Sequence, residues 1–184
     1  MTIVPAGVVT WAEVDLDAIA HNVEAIKAFV GPDVQIIASV KANAYGHGLR
    51  PVGRIAMEAG ASQLAVHRIQ AAVALRQAIP TAPILLMGHI PPSGIDLVLH
   101  HGITPTVVDL ETARLISDRA THVVNVHVKV DTGMSRYGLE PERTLDFIRT
   151  IASLPNVRVE GLFSHFASAD DANLDFARRQ WARF

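Results

Sequence analysis

Residues Val34–Gly48 read VQIIASVKANAYGHG, and the reading of this stretch decides the fold. Val34–Val40 is apolar and rich in β-branched residues, which suits a buried strand. It ends directly in Lys41, and Gly46 and Gly48 punctuate the turn that follows. Period-two alternation puts Gln35, Ile37, Ser39 and Lys41 on one face of the strand. A strand that delivers one amine to its C-terminal end, with free backbone N–H groups and a helix start just beyond, places a nucleophile beside an anion site. That pairing suits a covalent aldehyde cofactor. The competing reading is a lysine whose stem lies along apolar surface while its ammonium stays in water. The turn lacks Gly-Lys-Ser/Thr, so it is not a nucleotide phosphate loop.

Outward from this stretch, strand and helix patterns alternate. Further strands are expected at Gln63–Val66, Pro83–Met87, Thr104–Val108, Val123–Val130 and Val157–Phe163. Helices are expected at Leu16–Phe29, Pro51–Ala59, Ile69–Ala78, Gly94–His100, Leu110–Arg119, Glu142–Ala152 and from Ala172 onward, with a short strand at Trp11–Asp15 before them all. Such alternation means an α/β fold with a parallel sheet and right-handed crossovers. An open doubly wound sheet and a parallel (β/α)8 TIM-type barrel both fit the pattern. Lys41, Asp109, Lys129 with Asp131, and His165 fall at the C-terminal ends of different strands, and only a barrel gathers all such ends around one mouth. The expectation is therefore a barrel, incomplete over these 184 residues with about six βα units present. The chain stops within a helical pattern, without a capping glycine or polar tail, which reads as a fragment of a longer protein.

Composition narrows the chemistry. Hydrophobic residues make up 49% of the chain, but no apolar run approaches the ~20 residues of a membrane span. With no secretory signal pattern at the N-terminus, a cytoplasmic location is expected. A formal charge of -2 with mixed signs gives no electrostatic reason to expect nucleic acid. The absence of cysteine rules out disulfides and thiol acid/base chemistry within this sequence, and no His/Glu spacing matches a metal site.

Two more strand ends carry chemistry. His127, Lys129 and Asp131 share one face, followed by Thr132-Gly133-Met134-Ser135-Arg136-Tyr137-Gly138. Charges on an interior face need neutralisation. Either Lys129 and Asp131 form a structural ion pair, or the set is an anion receptor whose working group is the Arg136 fork. His165, within GLFSHFASAD (Gly161–Asp170), is a core histidine or a site residue.

Taken together, WAEVDLD (Trp11–Asp17), VKANAYGHG (Val40–Gly48), APILLMG (Ala82–Gly88), VKVDTGMSRYG (Val128–Gly138) and GLFSHFASAD resemble the N-terminal part of the alanine racemase family over nearly the whole chain. The resemblance implies a fold-type III enzyme using pyridoxal 5′-phosphate to interconvert L- and D-alanine, the latter supplying peptidoglycan, as a cytoplasmic homodimer. It implies that Lys41 bonds the cofactor and exchanges the α-proton on one face of the substrate. Tyr45 would contact the cofactor phosphate and Leu85 its ring. Arg136 would hold the ring phenolate and the substrate carboxylate, with Lys129, carbamylated in many relatives, holding Arg136. His165 would orient the arginine that faces the pyridine nitrogen. By the same resemblance, residues 1–184 are the barrel domain cut short. The last strands and a C-terminal β domain, which donates a catalytic tyrosine across the dimer, lie outside them, so the fragment alone is expected not to racemise alanine. Racemases of serine or lysine, other fold-type III enzymes such as decarboxylases, and a non-catalytic cofactor-binding module remain alternatives. His67-Arg68-Ile69-Gln70-Ala71 departs from the family pattern and is expected on an outer helix.

Overall fold

The computed structural model describes Gly7 and residues 9–184. Its first helix, α1 (Leu16–Val30), starts where the Asp15 carboxylate accepts the Ala18 N–H at 3.0 Å, supplying one of the acceptors that a helix start lacks. Trp11–Asp15, expected as a strand, is not one. Asp15 is committed to the cap, and the Trp11 indole donates locally to Glu13, so this segment joins no sheet.

After α1 the chain alternates as the apolar pattern requires. β1 (Ile37–Ser39) leads into a short helical turn, α2 (Lys41–Tyr45), and then α3 (Leu49–Glu58). Next come β2 (Gln63–Val66), α4 (Ile69–Ala78), β3 (Ile84–Leu86) and α5 (Ile95–His100). They are followed by β4 (Thr104–Val107), α6 (Leu110–Arg119), β5 (Val124–Lys129), α7 (Pro141–Ala152), β6 (Val157–Phe163) and α8 (Asp175–Arg183).

All six strands pair in parallel, in the order β1-β2-β3-β4-β5-β6. This strictly sequential order decides between the two architectures. A doubly wound sheet reverses its strand order at a switch point and carries helices on both faces; here the order never reverses. Successive helices pack against one another, α3 on α4, α5 on α6 and α6 on α7, so they form one outer layer as in a barrel wall. The fold is thus α/β, a run of six βα units of an incomplete TIM-type barrel. Among the described residues β1 and β6 each have one neighbouring strand, and Ile37 (42% exposed) and Leu162 (46%) lie open at these edges.

The two faces of the sheet differ sharply. Leu64, Val66, Ile84, Leu86, Val107, Val126 and Val128 point toward the helices and are fully buried. Burying each such side chain contributes about 1.5–3 kcal/mol, so this seam carries most of the stability. The opposite face, which lines the barrel interior, is read from the register: Ser39 beside Ala65, Ala65 beside Leu85, Leu85 beside Thr104, then Thr106 beside His127 and His127 beside Gly161. Among the described residues no helix is long and apolar enough to cross a membrane.

Candidate active site

The interior face ends at the C-terminal mouth, where the chemically capable side chains collect. Val40 is held in the sheet by its N–H to the Ala65 carbonyl at 2.9 Å, and Lys41 follows at once, partly buried. The backbone then does something the sequence does not announce. Ala42, Asn43, Ala44 and Tyr45 all have φ between 51° and 58°, so α2 is a single left-handed turn made of non-glycine residues. Each such residue costs roughly 1–2 kcal/mol relative to right-handed backbone, and a run of four persists only where the surroundings over-determine it. Here the Gly46 N–H bonds the Ala42 and Asn43 carbonyls, the Gly48 N–H bonds the Asn43 carbonyl, and the Asn43 side chain accepts the Leu49 N–H at 2.9 Å. The last bond caps α3, so the turn and the helix behind it are one unit. The turn also folds Tyr45 back over the mouth: its hydroxyl lies 3.3 Å from Ser39 Oγ and its ring 5.7 Å from Lys41 Nζ. Tyr45 remains 60% exposed, open to a ligand.

Leu85 lies buried at the centre of the interior face, flanked by Ala65 and Thr104. This supplies a flat apolar wall below the mouth. Lys129 ends β5 and is only 7% exposed, with its Nζ 5.8 Å from the ring centroids of both Tyr137 and Phe163. No ion pair joins Lys129 to Asp131 among the described residues. The Asp131 carboxylate is committed elsewhere, accepting the Gly133 and Ser135 N–H groups at 2.9 Å each. Burial alone would raise its pKa, but those backbone donors, with Met134 N–H and the Lys129 charge, hold it below the usual carboxylate range. Asp131 therefore shapes the turn that launches Arg136, and the ion-pair reading of this strand end gives way.

The consequence for Lys129 is electrostatic. Burial first, and then the neighbouring Arg136 and Lys41 charges, push its ammonium below the ordinary lysine range, with Asp131 opposing. His165, just past β6, is likewise pushed down by burial and then by Arg136, Lys129 and Lys41. Lys41, Lys129, Arg136 and His165 thus share one positive field, although three separate strand ends, those of β1, β5 and β6, deliver them. Arg136 opens onto a polar cavity of about 400 Å³ lined also by Asp131, Tyr137 and Arg183. Tyr137 is half-buried and near Asp109, and burial first, then that charge, pushes its phenol up to about 12, so it stays neutral. Asp109, the remaining strand-end acid, caps α6 through Thr112 N–H at 2.7 Å and Thr112 Oγ1 at 3.0 Å. Its role is structural.

One mouth residue escaped the sequence reading. His67 was expected on an outer helix, but β2 ends at Val66 and α4 starts at Ile69. His67 therefore sits at the strand end, the alternation continuing from Gln63 and Ala65. Burial and then the Lys41, Arg136, Arg68 and Lys129 charges push its imidazole below the ordinary histidine value. Gly88 makes room for it: a Cβ there would overlap the His67 carbonyl and lie 3.1 Å from its ring. Extending the β2 alternation by one residue would have found it.

The alanine racemase N-terminal domain model matches residues 14–184. Among curated relatives, the alanine racemase of Desulforamulus reducens is 45% identical over 182 residues, covering 95% of this chain and 48% of the relative. That of Methanococcus maripaludis is 42% identical over 178 residues, again 95% of this chain and 48% of the relative. The solved alanine racemase of Clostridium difficile 630 superposes with a TM-score of 0.92 at 36% identity, over 97% of this chain and 51% of that one. The Bacillus anthracis enzyme with bound L-Ala-P gives 0.89 at 38% identity, over 98% and 48%. The chain spans about half the length of the curated relatives it matches. By sequence and by fold, it belongs to the alanine racemase family, in which it corresponds to the N-terminal domain.

Proposed function

We propose that this chain is the cofactor-bearing barrel portion of a pyridoxal 5′-phosphate-dependent alanine racemase. The observation that carries the reading is the convergence of Lys41, Lys129 and Arg136 at one mouth, where no salt bridge joins any of them to a carboxylate among the described residues. A net positive field of this kind, only partly opposed by Asp131, suits a ligand bearing a phosphate, a phenolate and a carboxylate, so the residues present fit the family's cofactor.

Pyridoxal 5′-phosphate, when bound, supplies the electron sink that makes an amino-acid α-proton removable. In this reading Lys41 Nζ would hold the cofactor by its aldehyde, with loss of water, and once freed from it would take and return the α-proton of alanine on one face. The Tyr45 hydroxyl would donate to the phosphate, and Leu85 would offer an apolar contact to the ring. Arg136 grips the substrate carboxylate with its fork. His165 would orient the arginine that faces the pyridine nitrogen, a residue that the resemblance places beyond residues 1–184.

Lys129 has a distinct part. A lysine held below its usual range presents a free amine pair, which adds to the carbon of CO2 and releases one proton to water. The resulting carbamate is an anion beside Arg136, replacing cation–cation repulsion by attraction. The opposite face of the substrate needs a second base. The family resemblance assigns this to a tyrosine of the C-terminal β domain, donated across a homodimer, so residues 1–184 alone are expected not to racemise alanine. A cytoplasmic location and D-alanine supply for the cell wall belong to the same reading.

Two measurements test it. Borohydride reduction in the presence of pyridoxal 5′-phosphate, followed by peptide mass mapping, is expected to mark Lys41. Exchange of α-deuterium from L- and D-alanine, compared with serine and lysine, is expected to be fastest for alanine in the protein as its gene encodes it, and abolished by Lys41→Ala. Undiminished exchange in that variant would dismiss Lys41 as a base.

A further inference from the structure

Helix α8 places Phe176, Gln180 and Arg183 at i, i+4 and i+7, one face of the helix. All three meet the segment that begins the Arg136 loop. A Cβ at Gly133 would lie 3.1 Å from Phe176 Cζ and 3.5 Å from Gln180 Cγ, and Arg183 Nη1 donates to the Thr132 carbonyl at 3.3 Å. Gln180 is the centre of this face and only 1% exposed. Its Nε2 donates to Thr132 Oγ1 at 3.2 Å and to the His165 carbonyl at 2.9 Å, while its Oε1 accepts the Ala167 N–H at 2.9 Å. The partners fix the amide orientation, since a carbonyl accepts and an N–H donates.

The bonds continue in one direction. Ser164 Oγ gives its proton to the Val130 carbonyl at 2.9 Å, so it accepts from Thr132 Oγ1 at 2.8 Å, and Thr132 in turn accepts from Gln180. The buried amide therefore adds to the direct Thr132–Ser164 and Ser164–Val130 bonds a further tie between the loop after β5, which carries Arg136, and the loop after β6, which carries His165. Nothing else in α8 has polar reach to both.

We propose that Gln180 is a positioning residue that fixes the distance between these two loops, and through them the aim of Arg136. Where it concerns the substrate carboxylate, this rests on the proposed function; where it concerns loop order, it does not. The test compares Gln180→Met, which keeps length and apolar stem, with Gln180→Glu, which keeps the acceptor for Ala167 and loses both donors. Thr132→Val and Thr132→Ser serve as a second pair, in case the buried replacements at 180 do not fold. All are made in the protein as its gene encodes it.

Amide hydrogen exchange at Gly133–Arg136 is expected to quicken about tenfold or more in the 180 variants and in Thr132→Val, with the β2–β4 amides unchanged and Thr132→Ser close to wild type. The KM for alanine is expected to rise roughly tenfold with a smaller change in kcat, because a misaimed fork loses carboxylate grip. Unchanged loop exchange, or exchange that quickens uniformly across the sheet with KM intact, would overturn the proposal by reducing Gln180 to a packing residue. Should the wild-type protein not racemise alanine, the functional reading fails on its own, and local exchange alone decides the part of Gln180.

Discussion

Replacing Ala42 by glycine should stabilise this protein, against the usual expectation for that substitution. Ala42 has φ 51° and ψ 50° and is exposed, so its methyl packs against little. Left-handed backbone costs a non-glycine residue roughly 1–2 kcal/mol. Glycine removes that strain and gives back about 0.5–1 kcal/mol through the greater entropy of its unfolded chain. The net is a gain of about 0.5–1 kcal/mol, equivalent to a melting temperature higher by about 1–4 °C for a chain of this size. Ala44 is the internal control. It has the same backbone but only 4% exposure, and loss of its buried methyl, about 0.8 kcal/mol, should cancel most of the gain. Urea unfolding of Ala42→Gly, Ala44→Gly and wild type measures both numbers. Pyridoxal 5′-phosphate affinity read beside them should weaken about threefold in Ala42→Gly, because a looser turn must be ordered on binding. If Ala42→Gly is less stable than wild type, or both variants gain equally, the turn is not strained in the way its dihedrals imply.

Other perturbations follow from the same structure. Arg76 donates to the carbonyls of Pro80 and Ala82 at 2.7 Å, His101 at 2.9 Å and Gly102 at 3.0 Å; Arg76→Ala should lower unfolding stability by about 3 kcal/mol, and Arg76→Lys should recover only part, since an ammonium cannot span all four. Thr106 Oγ1 is buried on the interior face without a partner; Thr106→Val, nearly the same shape, should raise stability by about 1 kcal/mol in the same unfolding assay, and a loss would point to a hidden acceptor there. His67, His127 and His165 all have folded values below 6.5, mainly through burial. The unfolded chain then takes up protons that the folded chain resists, so their contribution is whole above pH 6.5 and is lost as pH falls toward and through the folded values. Melting temperature should drop between pH 7.5 and 5.5, and a His67→Gln/His127→Gln/His165→Gln variant should flatten that slope; an unaltered slope would assign it to other groups.

Much of the architecture was legible without coordinates because the signals are local. β2 and β6, and helices α4 and α6, end where the periodic patterns end, since a period of two or 3.6 is a property of neighbouring residues. The strand-end positions of Lys41, Lys129 and His165 followed from the same reading, and the sequential strand order then turned a favoured barrel into an observed one. What lay beyond the sequence depended on what packs opposite what. Lys129 and Asp131 are two residues apart with opposite charges, yet the carboxylate turns to backbone N–H groups and leaves the amine beside Arg136. KANAY is good helix sequence, yet it folds left-handed, held by bonds to Gly46, Gly48 and Leu49. His67 reads as the start of a helix until the strand register carries it into the mouth. Gln180 is one polar residue on a charged amphipathic helix until two loops, 48 and 15 residues away in sequence, close around it. The chain by itself determined which residues point inward. Only the fold decided which charges are answered, because compensation comes from groups that the sequence keeps far apart.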